Sequence, residues 1–226
     1  MNWTRIDADL SSRGYARVER LLSTSECAAF VLMYDDPARF RSHVRMQRHG
    51  FGRGEYRYFR YPLPRRIAAL RTQLYRGLAP IANRWHEVLH ESQRFPAEHR
   101  DLRERCRAHG QARATPLLLR YGADDYNCLH QDLYGDVVFP LQVTVLLSDP
   151  AGDFTGGEFV LTEQRPRMQS RVEVVPLARG DAVVFPVRHR PVEGTRGHYR
   201  VNMRHGVSRL RSGSRHALGI IFHDSK

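Results

Sequence analysis

The chain has 226 residues, 41% of them apolar and 27% charged, a balance that excludes a disordered or low-complexity polypeptide and fits a soluble globular protein. No run reaches the roughly 18 apolar residues needed to cross a bilayer, and MNWTRIDADLSSRGYARVERLL has no signal-peptide core, so neither a membrane-spanning helix nor a membrane partner is expected, whereas a cytoplasmic location is. The formal net charge of +12 favours an anionic partner such as nucleic acid, although Lys226 is the only lysine and GC-rich codon usage also produces an arginine-only basicity.

In chain order, Ser23-Thr24-Ser25-Glu26 has the S-x-x-E form of a capping box and opens the apolar run CAAFVLMY, which Pro37 closes. Residues 41 to 64, RSHVRMQRHGFGRGEYRYFRYPLP, are dense in arginine, aromatics and glycine and lack periodicity. They read either as a solvated surface loop or as a substrate lid, in which Tyr56, Tyr58, Phe59 and Tyr61 stack on a planar substrate while Arg45, Arg48, Arg53 and Arg57 meet phosphates. From Pro64 to His90, Ile67, Leu70, Leu74, Leu78, Ile81, Trp85 and Val88 or Leu89 recur at three- and four-residue spacing, the stripe of an amphipathic helix. Pro80 is expected to kink or split it. A third, highly charged helix is expected over residues 97 to 109.

From Thr115 onward the texture becomes short β-rich runs between turns: PLLLRY, VVFPLQVTVLL, GGEFVLT, RVEVVPL, DAVVFP, YRVNMRHGVSRL and RHALGIIFH. Strands at this spacing without intervening helices predict a two-sheet sandwich or jelly roll. The expected organisation is one α+β domain over 1–226, with a mainly helical part over 1–114 and a jelly-roll, or double-stranded β-helix, core over 115–226. Cys27, Cys106 and Cys128 are odd in number and lack CxxC spacing, so neither a disulfide framework nor a structural zinc site is indicated.

The stretch LHQD raises the chemical question. On a strand, residues i and i+2 share a face, so His130 and Asp132 would present an imidazole and a carboxylate together. A non-heme Fe(II) site needs two histidines and one carboxylate, with the remaining positions open. The third ligand then comes from His189, His198, His205, His216 or His223. If 2-oxoglutarate is the cosubstrate, its far carboxylate also needs a buried cation, best the fork of an arginine. In enzymes of that kind the cation lies on the strand after the distal histidine. Ten residues after His205 is Arg215, whereas the same step from His189 and His198 reaches Tyr199 and Ser208, and from His216 the terminal Lys226.

Four segments in order resemble the 2-oxoglutarate and Fe(II)-dependent dioxygenase superfamily, in the branch similar to prolyl 4-hydroxylases: RYGADDYNCLHQD, TGGEFVL, PLARGDAVVFP and HGVSRLRSGSR. With RHGFGRGEYRYF and the closing RHALGIIFHD, the whole chain resembles a bacterial family of 2-oxoglutarate oxygenases assigned to oxidative demethylation of damaged nucleic acid. The resemblance implies His130, Asp132 and His205 as catalytic iron ligands, Arg215 and Tyr121 at the C5 carboxylate of 2-oxoglutarate, and Thr144 as a further polar contact. It also implies Fe(II), 2-oxoglutarate and O2, with ascorbate as reductant. Two departures stand out: prolyl hydroxylases usually carry lysine at the position of Arg215, and RHALGIIF lacks the second arginine of AlkB-type repair enzymes. The substrate classes left open are an alkylated base in nucleic acid and a protein side chain such as proline; the non-enzymatic alternative is a cupin-like binding protein. Cys128 reads as a pocket-lining thiol, Trp3 and Trp85 as packing residues, and the remaining histidines as structural.

Overall fold

The computed structural model describes residues 1–226. The N-terminal part places helix α1 (Trp3–Arg13), strand β1 (Ala16–Val18) and helix α2 (Thr24–Met33) ahead of a short β-hairpin and two further helices. The capping box forms as the sequence predicts: the Glu26 amide donates to the Ser23 hydroxyl at 3.2 Å, and the Ser23 amide donates back to Glu26 Oε2 at 2.9 Å.

Residues 41 to 64 depart from the expected loop or lid. They form strands β2 (Phe40–Arg45), β3 (Gly52–Arg53) and β4 (Glu55–Phe59), and the β2–β4 hairpin extends a sheet of the core. Alternation along β4 accounts for the aromatic density: Tyr58 and Phe59 are buried, and Phe59 joins the main hydrophobic core. The long helix α3 (Arg65–Val88) runs unbroken through Pro80, so it is not split. Pro80 sits on the solvent face, where the carbonyl it leaves unbonded stays accessible to water, and the buried stripe Ile67, Leu70, Leu74, Leu78, Ile81 and Trp85 holds the helix down. Helix α4 (His99–Ala108) follows, shorter by a turn than the charged pattern predicts.

The remaining strands are β5 (Leu117–Tyr121), β6 (Tyr126–His130), β7 (Leu141–Leu146), β8 (Phe154–Gly156), β9 (Phe159–Gln164), β10 (Arg171–Val175) and β11 (Ala182–Pro186). They continue with β12 (His189–Gly194), β13 (Gly197–Val207), β14 (Leu210–Gly213) and β15 (Arg215–Ile221). One sheet has the order β1-β11-β7-β15-β5-β4-β2; the other has β10-β9-β13-β6-β3, with β12 on β13, and a small ribbon pairs β14 with β8. The two sheets face each other as a jelly roll, and all their pairings are antiparallel.

The period-two rule divides the work of the larger sheet. Leu118 of β5, Val143 and Val145 of β7, Val184 of β11, and Leu218 and Ile220 of β15 join the core beneath the helices. Their neighbours Leu117, Leu119 and Tyr121, Gln142 and Thr144, and Arg215, Ala217, Gly219 and Ile221 line the cavity between the sheets. No helix is long and apolar enough to cross a membrane.

Candidate active site

The cavity has a volume of about 320 Å³ and opens on one side of the jelly roll. At its mouth, His130 closes β6 and His205 lies directly opposite it on β13, their ring centroids 4.1 Å apart. Strand β6 stops at His130, so Asp132 does not share a strand face with it as the sequence suggested. Asp132 lies in the irregular segment beyond, and the turn of the chain brings the carboxylate back: Oδ1 is 3.7 Å from His130 Nε2, and Oδ2 is 3.3 Å from His205 Nε2. One ligand atom from each of the three lies within 4.8 Å of the others.

Local contacts prepare each donor. His130 Nδ1 donates to the Cys128 carbonyl at 2.8 Å, which leaves Nε2 with its lone pair facing Asp132, the arrangement in which the outer nitrogen of a metal-binding histidine is fixed by a carbonyl. His205 is buried and packed against Phe185, 4.7 Å between ring centroids, and its Nδ1 has no partner. Burial pulls His205 below its ordinary value, reinforced by His130, so the imidazole is neutral and able to ligate. Burial alone would push the Asp132 carboxyl up; His205, His130 and the Tyr134 hydroxyl outweigh it and hold the group well below the usual carboxylate range. An ionised carboxylate beside two imidazoles suits a divalent transition metal.

The same cavity contains a cation with no counter-charge. Arg215 opens β15, opposite Tyr121 in register, and is 2% exposed. Its Nε is buried without a partner, and the guanidinium carbon lies 5.6 Å from the Tyr121 ring and 5.9 Å from that of Phe154. Burial draws the guanidinium below its ordinary value, with only Tyr121 and Glu158 in partial offset. A buried arginine without an anion is costly, and this one faces a space into which an anion fits. Gly157 of the TGGEFVL segment makes room for it. Its φ is +62°, and a Cβ there would meet Leu210 Cδ1 at 2.5 Å and Arg215 Cδ at 3.1 Å. Burial keeps the Tyr121 hydroxyl protonated, and Asn127 donates to it at 3.4 Å.

All the residues singled out in sequence for the site, namely His130, Asp132, His205, Arg215, Tyr121 and Thr144, line this one cavity. Cys128 lies at its rim and is exposed. The Gly180-Asp181 turn of the PLARGDAVVFP segment has a scaffolding role: Asp181 accepts from the amides of Arg20 and Ala178, both at 2.9 Å, and pairs with Arg17.

Sequence reasoning missed Tyr134 and the inward role of Tyr58. The Tyr134 hydroxyl donates to Asp132 Oδ1 at 2.6 Å and accepts from Tyr58 at 2.9 Å. The available signal was the position of Tyr134 two residues after Asp132. Arg57, expected at phosphates, instead donates to the Tyr34 carbonyl at 2.8 Å and covers the Tyr34 ring, while Tyr61 donates to Asp224 at 2.8 Å, outside the cavity.

Comparison with known proteins agrees with this geometry. Residues 54–225 match the family model Oxygenase-NA, described as an oxygenase catalysing oxidative methylation of damaged DNA. Uncharacterized proteins from two strains of Mycobacterium tuberculosis are 50% identical over 167 residues, covering 74% of this chain and 72% of theirs. Among solved structures, a Pseudomonas putida prolyl-4-hydroxylase is similar with a TM-score of 0.56 at 14% identity, covering 96% of both chains. A 2OG-Fe(II) oxygenase family oxidoreductase from Burkholderia pseudomallei gives 0.55 at 15% identity, covering 100% of this chain and 93% of its own. A Trichoplax adhaerens prolyl hydroxylase in complex with a hypoxia inducible factor peptide fragment gives 0.57 at 14% identity, over 98% and 89%. At these identities the structural likeness speaks for the fold.

Proposed function

The chain belongs to the Oxygenase-NA family of oxygenases; on that premise we propose that it uses Fe(II) and 2-oxoglutarate to demethylate oxidatively an N-alkylated base in nucleic acid. The observation that carries the reading is the pairing, in one cavity, of a His-Asp-His donor cluster with a buried guanidinium that has no protein anion. His130, Asp132 and His205 would hold ferrous iron. Arg215, with the Tyr121 hydroxyl, would hold the far carboxylate of 2-oxoglutarate, and Thr144 on the adjoining wall would add a polar contact. With iron, 2-oxoglutarate and O2 bound, the site supplies hydroxylation of a substrate C–H with succinate and CO2 as coproducts, and a hydroxylated N-methyl then leaves as formaldehyde.

The chain's own residues supply position and exclusion. Tyr134, held by Tyr58, fixes one oxygen of Asp132 and stabilises its charge. The Cys128 carbonyl sets the ring orientation of His130. Phe159 and Phe185 pack around His205 and keep water from its buried face. Arg215 offers a fork that matches a carboxylate, in a place where water competes weakly. Support for a nucleic-acid substrate comes from the family description and from the net charge of +12.

The test is a succinate-coupled screen in which single-stranded oligonucleotides carrying N-methylated bases compete with proline-containing peptide pools. Succinate and formaldehyde released together, with oligonucleotide alone, is the expected result; succinate with peptides only would overturn the substrate assignment. His205→Ala should lose both iron and turnover, and stoichiometric iron in that variant would overturn the ligand set.

A further inference from the structure

The aromatic residues that sequence reasoning offered as a stacking surface, from Tyr56 to Tyr61, turn inward, and a different aromatic pair occupies the rim of the cavity. The chain makes a single 3-10 turn over Met46–His49 between β2 and β3. Met46 is fully buried against Tyr121, Leu146 and Val207, and the Phe51 amide closes the turn by donating to the Met46 carbonyl at 3.2 Å. On its other side the Phe51 carbonyl accepts from the Cys128 amide at 2.9 Å, and Gly52 and Arg53 pair with Asn127 and Tyr126 of β6. The turn is thus fixed to the strand that ends in His130.

Rigid backbone on both sides makes the side chain of Phe51 unusual. It is 48% exposed and lines the cavity mouth, and its ring stacks on His49 with centroids 5.3 Å apart and planes inclined by 23°. Its flat face is held out beside the cavity, with Leu129 exposed on the neighbouring strand. The cations near it in the chain have few partners. Arg45 and Arg48 are exposed and paired with no carboxylate, and Arg53, half exposed, has only Asp125 at 3.9 Å. Arg45 and Arg53 share one shallow surface pocket with two carboxylates: Glu55, taken up by Arg120 and His43, and Asp125, which accepts from the Gly122 amide at 2.8 Å and lies 3.9 Å from Arg53. A flat apolar ring with exposed guanidinium groups close by in the chain, two of them unpaired and the third only loosely paired, complements a chain of planar bases on a phosphate backbone, and single-stranded nucleic acid is the partner that offers both.

We propose that the His49–Phe51 pair is a stacking platform for the nucleotide next to the one whose base enters the cavity, with Arg45, Arg48 and Arg53 meeting the flanking phosphates. The inference rests on the nucleic-acid reading and names the surface that would select single strands, because a base can stack there only when it is free of a complementary partner.

The test does not require turnover. Phe51→Trp places a fluorophore on the platform against a background of Trp3 and Trp85, which are packed against or within the core, and the unsubstituted protein supplies the control. Titration of the iron-loaded variant with an unmethylated single-stranded oligothymidylate should quench the new tryptophan, saturably and less at higher salt. The corresponding duplex should quench it far less. Phe51→Ala should lower oligothymidylate affinity about tenfold, the scale of one base–aromatic stack, with Phe51→Tyr restoring it and thermal melts confirming that each variant is folded. No quench, equal quench by the duplex or by an acidic peptide, or an affinity unchanged in Phe51→Ala would overturn the platform. Quench without demethylation of a methylated oligonucleotide would leave the platform standing and overturn the reaction. Demethylation with kcat/KM unaltered in Phe51→Ala would leave the reaction standing and overturn the platform.

Discussion

Three arginines are almost wholly buried in this protein, Arg71, Arg190 and Arg215; Arg190 is paired with Glu163, and the other two are buried in opposite ways. Arg71, on helix α3, is 1% exposed and Arg215, on strand β15, is 2% exposed. Every part of the Arg71 fork is bonded: Nε donates to the Ile221 carbonyl at 2.8 Å, one terminal nitrogen to the Tyr61 hydroxyl at 2.7 Å, and the other to Asp224 at 2.8 Å, the Phe222 carbonyl at 2.9 Å and Thr115 at 3.2 Å. The Arg215 guanidinium makes no hydrogen bond or ion pair to the protein, and its Nε is buried without a partner. Burial lowers both guanidinium groups; Asp224 and Tyr61 more than reverse this for Arg71, and nothing comparable does so for Arg215. The first arginine fastens the C-terminal segment to the helical layer. The second is an incomplete pair, and the proposed 2-oxoglutarate site rests on that lack of partners.

Substitution should separate the two. The largest effect is expected for Arg71→Met, which strands the buried Asp224 carboxylate and should cost about 3–5 kcal/mol of folding free energy in urea titrations. A loss below about 1 kcal/mol would mean that the two environments differ less than the hydrogen bonds indicate. Arg215→Met should fold at least as stably as the unsubstituted protein without ligand, yet bind 2-oxoglutarate roughly a hundredfold or more weakly by calorimetry, since a deserted partner in a buried pair costs about 3 kcal/mol or more. Undiminished affinity would move the anion site away from Arg215. In the iron-loaded protein, 2-oxoglutarate at a hundred times its Kd should raise the unfolding free energy by about 2.7 kcal/mol, and in Arg215→Met the same concentration should raise it far less.

The smallest expected effect is on pH dependence near Arg71. Burial, and then Arg71 itself, hold His99 down to about 3 and His223 down to about 4. Both are therefore neutral when folded and take up protons near pH 6.5 when unfolded. Their contribution is present above about pH 6.5 and is lost as pH falls from there through the folded values, at about 1 kcal/mol per histidine between pH 6.5 and 5.5. Thermal melts across that interval should show the loss, and His99→Gln, which keeps a donor for the Phe222 carbonyl, should make it shallower.

The two arginines also mark what each level of description could reveal. Arg215 was legible in sequence because a cation one strand after a histidine is a local, ordered relation, and the β-run spacing already implied the strands that carry it. Arg71 was not legible. It lies in a helix whose apolar stripe passes beside it, and its partners at Tyr61, Thr115 and residues 221 to 224 are scattered along the chain. Asp132 shows the intermediate case: the pattern His-x-Asp identified the residue, but a strand face was the wrong geometry, since β6 ends at His130 and the carboxylate returns through an irregular turn held by Tyr134.

Residues 41 to 64 show the limit most directly. Their composition pointed to stacking and phosphate contact, yet composition cannot say which ring faces in. Pairing with β5 sends Tyr58 and Phe59 inward and engages Arg57 on Tyr34, while the turn pinned to β6 holds Phe51 outward. By itself the sequence determined the capping box, the apolar stripes and the run of strands, because each depends on residues a few positions apart, while the proposed donor set was indicated by ordered motifs that resemble known oxygenases. Only the tertiary structure decided which buried charge is paired, how Asp132 reaches the histidines and which aromatic ring meets the solvent, because burial and pairing are properties of neighbours in space that the chain brings together only when its sheets close.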